Sequence, residues 1–238
     1  MSMLEIRNLV KSYGNGPRAV DDLSLSVEAG DIYGFIGHNG AGKTTTLKCV
    51  SGILPFEQGE ITVDGLSVKS QPLEAKRIMR YIPDNPDLYG FLTGIGYLNF
   101  LCDIYGIDER TRNERIAKYA AQFEIETKLG DLVSSYSHGM CQKLALIGAL
   151  VQQPKLLMLD EPFVGLDPKA AFTLKSIMRE LVEHGSAIFF STHVLEVAEK
   201  LCNKIAIIKQ GRLIASGPME TVRGDQSLED LFLELTDA

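Results

Sequence analysis

Eight residues, Gly37-His38-Asn39-Gly40-Ala41-Gly42-Lys43-Thr44, constrain this chain more than any other segment. They match G-x-x-x-x-G-K-[ST] and stand between an apolar run over residues 32–36 and a stretch from Lys43 towards Val50 that reads as a helix. A strand, a glycine-rich loop and a helix in that order make a phosphate cradle. Glycines let backbone N–H groups converge on anionic oxygens, and the helix N-terminus adds the positive end of its dipole. Lys43 is then positioned to reach the β- and γ-phosphates of a nucleoside triphosphate, Thr44 to offer its hydroxyl to Mg²⁺, and Thr45 to meet a further phosphate oxygen. The competing reading is a glycine-rich turn that binds nothing, and the strand before the loop argues against it. The loop alone points to nucleoside triphosphate chemistry and no further, because kinases, GTPases and many motors share it.

A second constellation supplies acid and base. Leu156-Leu157-Met158-Leu159-Asp160-Glu161 is an apolar strand ending in two carboxylates. Behind a phosphate loop, the first acid after such a strand can hold Mg²⁺ through its water shell, which makes Asp160 the metal candidate. Glu161 then stands where it can polarise an attacking water as general base. Solvated charges at a strand end are the alternative. His193 follows the apolar run 187–190 and the polar step Ser191-Thr192. The C-terminal edge of a strand is where α/β sheets present ligands, so this imidazole is a candidate partner of the γ-phosphate; a structural histidine is the competing reading. His38 reads as a variable loop position and His184 as a helix-end cation.

The remaining pattern supports one α/β domain carrying an insert. The 238 residues are 45% hydrophobic and 23% charged, an ordinary globular composition. A net charge of −7 without any basic block argues against nucleic-acid binding. Cys49, Cys102, Cys141 and Cys202 form no C-x-x-C pair, so neither zinc nor a disulfide framework is signalled and a reducing cytoplasm is expected. Residues 1–10 lack the apolar core of a secretion signal. The most apolar run, residues 144–151, falls short of the roughly 18 to 20 residues that cross a bilayer, so any membrane role is expected to come through a partner.

Leu4 and Ile6, and then Leu23, Leu25 and Val27, alternate as half-buried strands around turn chemistry at residues 13–17. Further strands are expected at Ile61 and Val63, at residues 77–82, at 187–190 and at 205–208. Ile116, Tyr119, Ala120 and Phe123 share one helical face, as do Leu174, Ile177, Met178 and Leu181. Leu228, Leu231, Phe232 and Leu235 mark a closing helix capped by Ser227. The expected fold is α/β: a P-loop core with a mostly parallel sheet and an N-terminal antiparallel β portion, formed by residues 1–83 and 154–238. An α-helical subdomain, residues 84–153, is inserted into it.

Together these residues resemble the ATP-binding cassette family over nearly the whole chain. Gly37 to Thr44 corresponds to Walker A, residues 156–160 to Walker B, Glu161 to the catalytic glutamate, Gly165-Leu166-Asp167 to the D-loop and His193 to the switch histidine. Tyr136-Ser137-His138-Gly139-Met140 stands where the family carries L-S-G-G-Q. It has His138 for a glycine and Met140 for the glutamine, and it keeps Ser137 and Gly139 for the phosphate contact. The resemblance implies that Tyr13 stacks on adenine, although a turn tyrosine buried for packing would look the same. Tyr81-Ile82-Pro83-Asp84 is similar to the Q-loop with Asp84 in place of glutamine; an aspartate can still bind Mg²⁺ or its water but adds negative charge beside phosphates.

The family further implies ATP and Mg²⁺ as ligands, with Walker A of one subunit facing the signature of another. This chain carries one copy of each motif, so a second cassette subunit, as a homodimer or with a related chain, is expected. An integral membrane permease is expected as the driven partner, leaving the chain cytoplasmic on the inner face of the membrane. Asp84-Asn85-Pro86 with the Y-S-x-G-M signature is similar to bacterial exporter-type cassettes. The alternative from another class is a soluble cassette ATPase that remodels a protein assembly without moving solute.

Overall fold

The computed structural model describes residues 2–237, so the outermost ends of the expected core segments, Met1 and Ala238, lie outside the described residues. Two long strands come first. β1 (Ser2–Ser12) and β2 (Arg18–Glu28) pair antiparallel. β3 (Ile32–Ile36), buried at every position, runs into the phosphate loop and α1 (Lys43–Val50). There follow β4 (Gln58–Val63), β5 (Leu66–Ser67), α2 (Pro72–Ile78) and β6 (Met79–Ile82), then the helices α3 (Gly94–Ile104), α4 (Glu109–Phe123) and α5 (His138–Leu150). The chain continues through β7 (Leu156–Asp160), α6 (Pro168–Glu183), β8 (Ala187–Thr192), α7 (Leu195–Leu201), β9 (Lys204–Lys209), β10 (Arg212–Pro218), α8 (Met219–Arg223) and α9 (Leu228–Asp237).

The chain divides into two units. The first comprises the described residues up to Tyr81, Lys155–Glu161 and those from Met178 on. It contains two sheets, a four-stranded one in the order β2-β1-β4-β5 and a six-stranded one in the order β10-β9-β3-β8-β7-β6. The pairs β3–β8, β3–β9 and β7–β8 are parallel, and β9–β10 is antiparallel. β7 and β8 are buried throughout, which is why they read as unbroken apolar runs and not as alternating ones. Both sheets and α1 contribute to one core in which Leu9, Val20, Leu47, Met158, Phe189 and Ile208 are buried.

The second unit comprises Ile82–Pro154 and Pro162–Ile177, the latter segment grouped by the sequence reading with the core. Its helices α3, α4 and α5 pack on one another. Each begins on a side-chain cap: Thr93 accepts from the Gly96 N–H, Asp108 from the Thr111 N–H, and Ser137 from the Met140 N–H. A Cβ at Gly148 would meet Leu101 Cδ1 at 2.7 Å, so a small residue there lets α3 and α5 close.

Two expectations need correction. Residues 77–82 are not one strand, because α2 runs to Ile78 before β6 begins. Pro72 at the first helical position and Glu74 in the first turn favour helix there, and Arg80 Nη1 donates back to the Lys76 and Arg77 carbonyls at the helix end. β10, which the sequence reading lacked, forms a hairpin with β9 through Gln210 and Gly211, both at positive φ. A two-residue turn of that conformation matches the twist of a hairpin.

Candidate functional site

The strand registers of the first unit bring its site together. Ile36 pairs with Thr192 and Asp160 with Ser191, so β3, β7 and β8 end at the same edge of the sheet. The phosphate loop, Asp160-Glu161 and His193 all emerge there. The loop is tied from behind. Gly211 N–H donates to the Ala41 carbonyl, Asp21 N–H donates to the Gly211 carbonyl, and Ala41 N–H turns back onto the His38 carbonyl. Gly42 sits at φ 108, and a Cβ there would run into the Ala19 carbonyl; Gly40, at φ 80, faces open space. His38, Asn39 and Gly40 form the exposed face of the loop.

Lys43 is nearly buried, with its side chain 6% exposed. Its Nζ donates to the carbonyls of Gly37 (2.6 Å) and His38 (3.2 Å) and lies 3.5 Å from Glu161 Oε1. Glu161 adopts φ 47, a left-handed conformation uncommon for a non-glycine residue. Its N–H donates to the Ser191 hydroxyl and carbonyl. The resulting turn brings its carboxylate beside Lys43 and His193, whose Nδ1 is 3.0 Å from Oε1 and whose backbone N–H donates to Oε2 at 3.3 Å. Oε1 is buried yet makes no aligned hydrogen bond, so a lone pair remains for an incoming donor.

Asp160, 1% exposed, accepts from the Ser191 hydroxyl on Oδ1 and from the Tyr81 hydroxyl on Oδ2 at 3.4 Å. Each carboxylate oxygen has a second lone pair, so Asp160 retains capacity for the water shell of a cation. Among the described residues no cluster of three or more His, Cys, Asp or Glu could cage a metal. Mg²⁺ keeps several waters and takes one or two protein ligands together with substrate phosphates, a demand that a single buried carboxylate such as Asp160 can meet. Thr44, exposed in the first turn of α1, is the other candidate ligand in this unit.

Tyr13, 54% exposed, lines a groove of about 1080 Å³ with Arg18, Gly40, Lys209, Gln210 and Arg212. Its hydroxyl is 3.2 Å from Thr45 Oγ1. Asp21 binds both Arg18 and Arg212, and these guanidinium groups hold its carboxyl below the ordinary carboxylate value. Arg18, Lys209, Gln210 and Arg212 lie outside the residues the sequence singles out, since they carry no motif and meet only where β2 packs against the β9–β10 hairpin.

The second unit carries its own arrangement. Ser137 caps α5 and keeps its hydroxyl hydrogen free to donate outward. Met140 lies in the first turn of α5 behind that cap. His138 fills the space beside Gly165, where a Cβ would meet its ring at 2.6 Å, and Gly139 lies against the Gly165 carbonyl. The histidine that departs from the family signature thus has a packing role. Asp167 accepts from the Ala170 N–H at the start of α6 and pairs with Lys143 at 2.8 Å, which holds its carboxyl below the ordinary value. Asp84 accepts from the Asn85 N–H.

A phosphate cradle on an interior strand of a mostly parallel sheet, with a carboxylate pair and a histidine at the same edge, defines a P-loop nucleoside triphosphatase. The chain belongs to the ABC transporter family, whose sequence profile matches residues 20–164. It is the family's ATP-binding ATPase component. It is 34% identical to the ABC-type transporter ATP-binding protein EcsA of Bacillus subtilis, over 99% of this chain and 97% of that protein. It is also 34% identical to the ABC transporter ATP-binding protein NatA of the same organism, over 90% of this chain and 87% of that protein. A solved ATP-binding subunit of an ABC transporter superposes with a TM-score of 0.94 at 33% identity, over 98% of this chain and 99% of that one. A dimeric ATP-binding cassette in a post-hydrolysis state with ADP and Pi shares the fold, with a TM-score of 0.83 at 21% identity. Among the described residues, no helix is long and apolar enough to cross a membrane.

Proposed function

We propose that the chain is the ATP-hydrolysing half-engine of a bacterial exporter, closing as a pair with a second copy to drive a separate permease from the cytoplasmic face. The observation that carries this reading is the convergence of Lys43, Asp160, Glu161 and His193 at one sheet edge. In the proposed mechanism the backbone of residues 37–45 and Lys43 bind the phosphates, and Tyr13 stacks on adenine above the groove. Thr44 and Asp160 would hold Mg²⁺, and the Q-loop resemblance alone proposes Asp84 as a further ligand. Bound there, Mg²⁺ would neutralise charge on the phosphates. Glu161 takes a proton from the attacking water on the lone pair that Oε1 leaves open, and His193 orients Glu161 and meets the γ-phosphate. Ser137, Gly139 and Met140 of the second copy, with its Asp167, complete the site.

The permease reading draws support from the second unit, where Tyr89, Phe91, Tyr97 and Phe100 form a ring cluster. Phe91 is 78% exposed within it. Exposed apolar patches of that kind mark interaction sites. The test is co-purification in detergent from the native host. The expected result is an integral membrane protein that follows the wild-type chain and is lost with Phe91→Arg, while Mg-ATP binding is kept. A chain that purifies with soluble partners alone would overturn the permease reading.

A further inference from the structure

Of the exposed loop residues, His38 meets a ring outside the loop. Its imidazole lies edge-on to Phe232 of α9, with ring centroids 4.7 Å apart and planes at 60°. Phe232 is only 5% exposed and belongs to the buried face of α9 together with Leu228 and Leu231. That helix is fixed at its start by Ser227, whose hydroxyl accepts from the Asp230 N–H, and it packs on α7. The neighbouring residues of the loop are held in other ways. A Cβ at Gly37 would strike the Ile208 carbonyl, and Gly42 is backed by Ala19. His38 is therefore the point where the exposed arch of the loop is seated, and its seat comes from α9.

The main chain of His38 gives that seat a consequence. The His38 carbonyl accepts from both Lys43 Nζ and the Ala41 N–H, so a shift of residue 38 displaces the loop's cation and its N–H array together. We infer that Phe232 is a positioning residue for nucleotide binding, through which α9 holds the phosphate loop in its receptive shape by way of His38. It touches no reacting atom. Its effect falls on nucleotide affinity, because the hydrolytic groups Asp160, Glu161 and His193 are carried by β7, by β8 and by the turns that follow them. The inference rests on the reading of residues 37–45 as the nucleotide site.

The test uses the full chain and calorimetry with Mg-ADP, which is not turned over. Phe232→Leu keeps an apolar side chain on the buried face of α9 but removes the ring, and His38→Ala removes the other partner. An aromatic pair of this kind is expected to be worth about 2-fold to 10-fold in affinity. Each single variant should weaken Mg-ADP by that much, and the double variant by no more than the larger single effect, because both changes remove one contact. In Phe232→Leu the KM for ATP should rise with kcat at saturating ATP kept, and Leu233→Ala on the exposed side of α9 should change neither. Wild-type affinity in Phe232→Leu, or a double variant weakened by the product of the single effects, would overturn the inference. Failure of the wild-type chain itself to bind Mg-ADP would instead overturn the reading of the loop.

Discussion

Lys43 Nζ and Glu161 Oε1 stand 3.5 Å apart, with both side chains largely withdrawn from water. The cation proposed to meet the phosphates is thus held by the proposed general base and by the carbonyls of its own loop. Lys43→Ala removes the loop's side-chain cation and leaves Glu161 without it. Hydrogen bonds to charged groups contribute about 1.5 to 3 kcal/mol each, so affinity for Mg-ATP should fall on the order of a hundredfold or more. Calorimetry decides this, and unchanged affinity would refute the phosphate-loop reading.

Glu161→Gln keeps the shape of the side chain but cannot accept the water's proton. Turnover should fall by about 10² to 10⁴-fold. ATP affinity should be kept or improved, because the amide no longer holds Lys43 as an ion pair. Trapped ATP should then favour the closed pair, visible by light scattering, and adding Ser137→Arg should abolish that pair. A variant that hydrolyses ATP at the wild-type rate removes Glu161 from the mechanism, and one that stays monomeric in saturating ATP leaves the isolated chain without the proposed pair.

Tyr13 separates two effects that one substitution would merge. Tyr13→Ala removes the ring, and stacking worth about 1 to 3 kcal/mol per base predicts a loss of about 5-fold to 100-fold in ATP affinity. Tyr13→Phe keeps the ring and removes only the hydroxyl bonded to Thr45 Oγ1, so its affinity should equal or exceed that of the wild type. Equal affinity for Tyr13→Ala and the wild type would make this tyrosine a packing residue.

Asp84→Gln restores the side chain usual at the Q-loop position. Both groups offer an oxygen to Mg²⁺, so steady-state hydrolysis should stay within about tenfold. Complete loss of turnover with normal ATP binding would assign the carboxylate a specific role beyond metal coordination.

The four cysteines should differ in reactivity. Cys49, Cys102 and Cys202 are buried, whereas Cys141 is half-exposed. Burial pushes the Cys49 thiol up to about 11 and raises those of Cys202, Cys102 and Cys141. Since the thiolate is the nucleophile, maleimide should modify the folded chain once, at Cys141, and faster as pH rises towards its raised pKa. Mass spectrometry should find one adduct in native Cys-intact protein and none in Cys141→Ser; labelling that persists in the variant would locate the accessible thiol elsewhere.

Local chemistry was enough to read much of this protein from its sequence. The loop from Gly37 to Thr44, the apolar strand into Asp160-Glu161 and the helical face of Ile116, Tyr119, Ala120 and Phe123 each signal themselves within a few residues, because periodicity and turn chemistry are short-range properties. The Ser227 cap and the half-buried alternation of Leu23, Leu25 and Val27 belong to the same class. What the tertiary structure decided is which distant residues meet. The register of Asp160 with Ser191 and of Ile36 with Thr192 brings Glu161 to Lys43 and His193 to Glu161, and a one-residue slip would turn those side chains to the other face of the sheet. The groove of Tyr13 with Arg18 and Arg212, the pairing of Asp167 with Lys143 and the seat of His38 on Phe232 have no local pattern to announce them. Each depends on packing between elements far apart in the chain, where sequence spacing carries no information about distance.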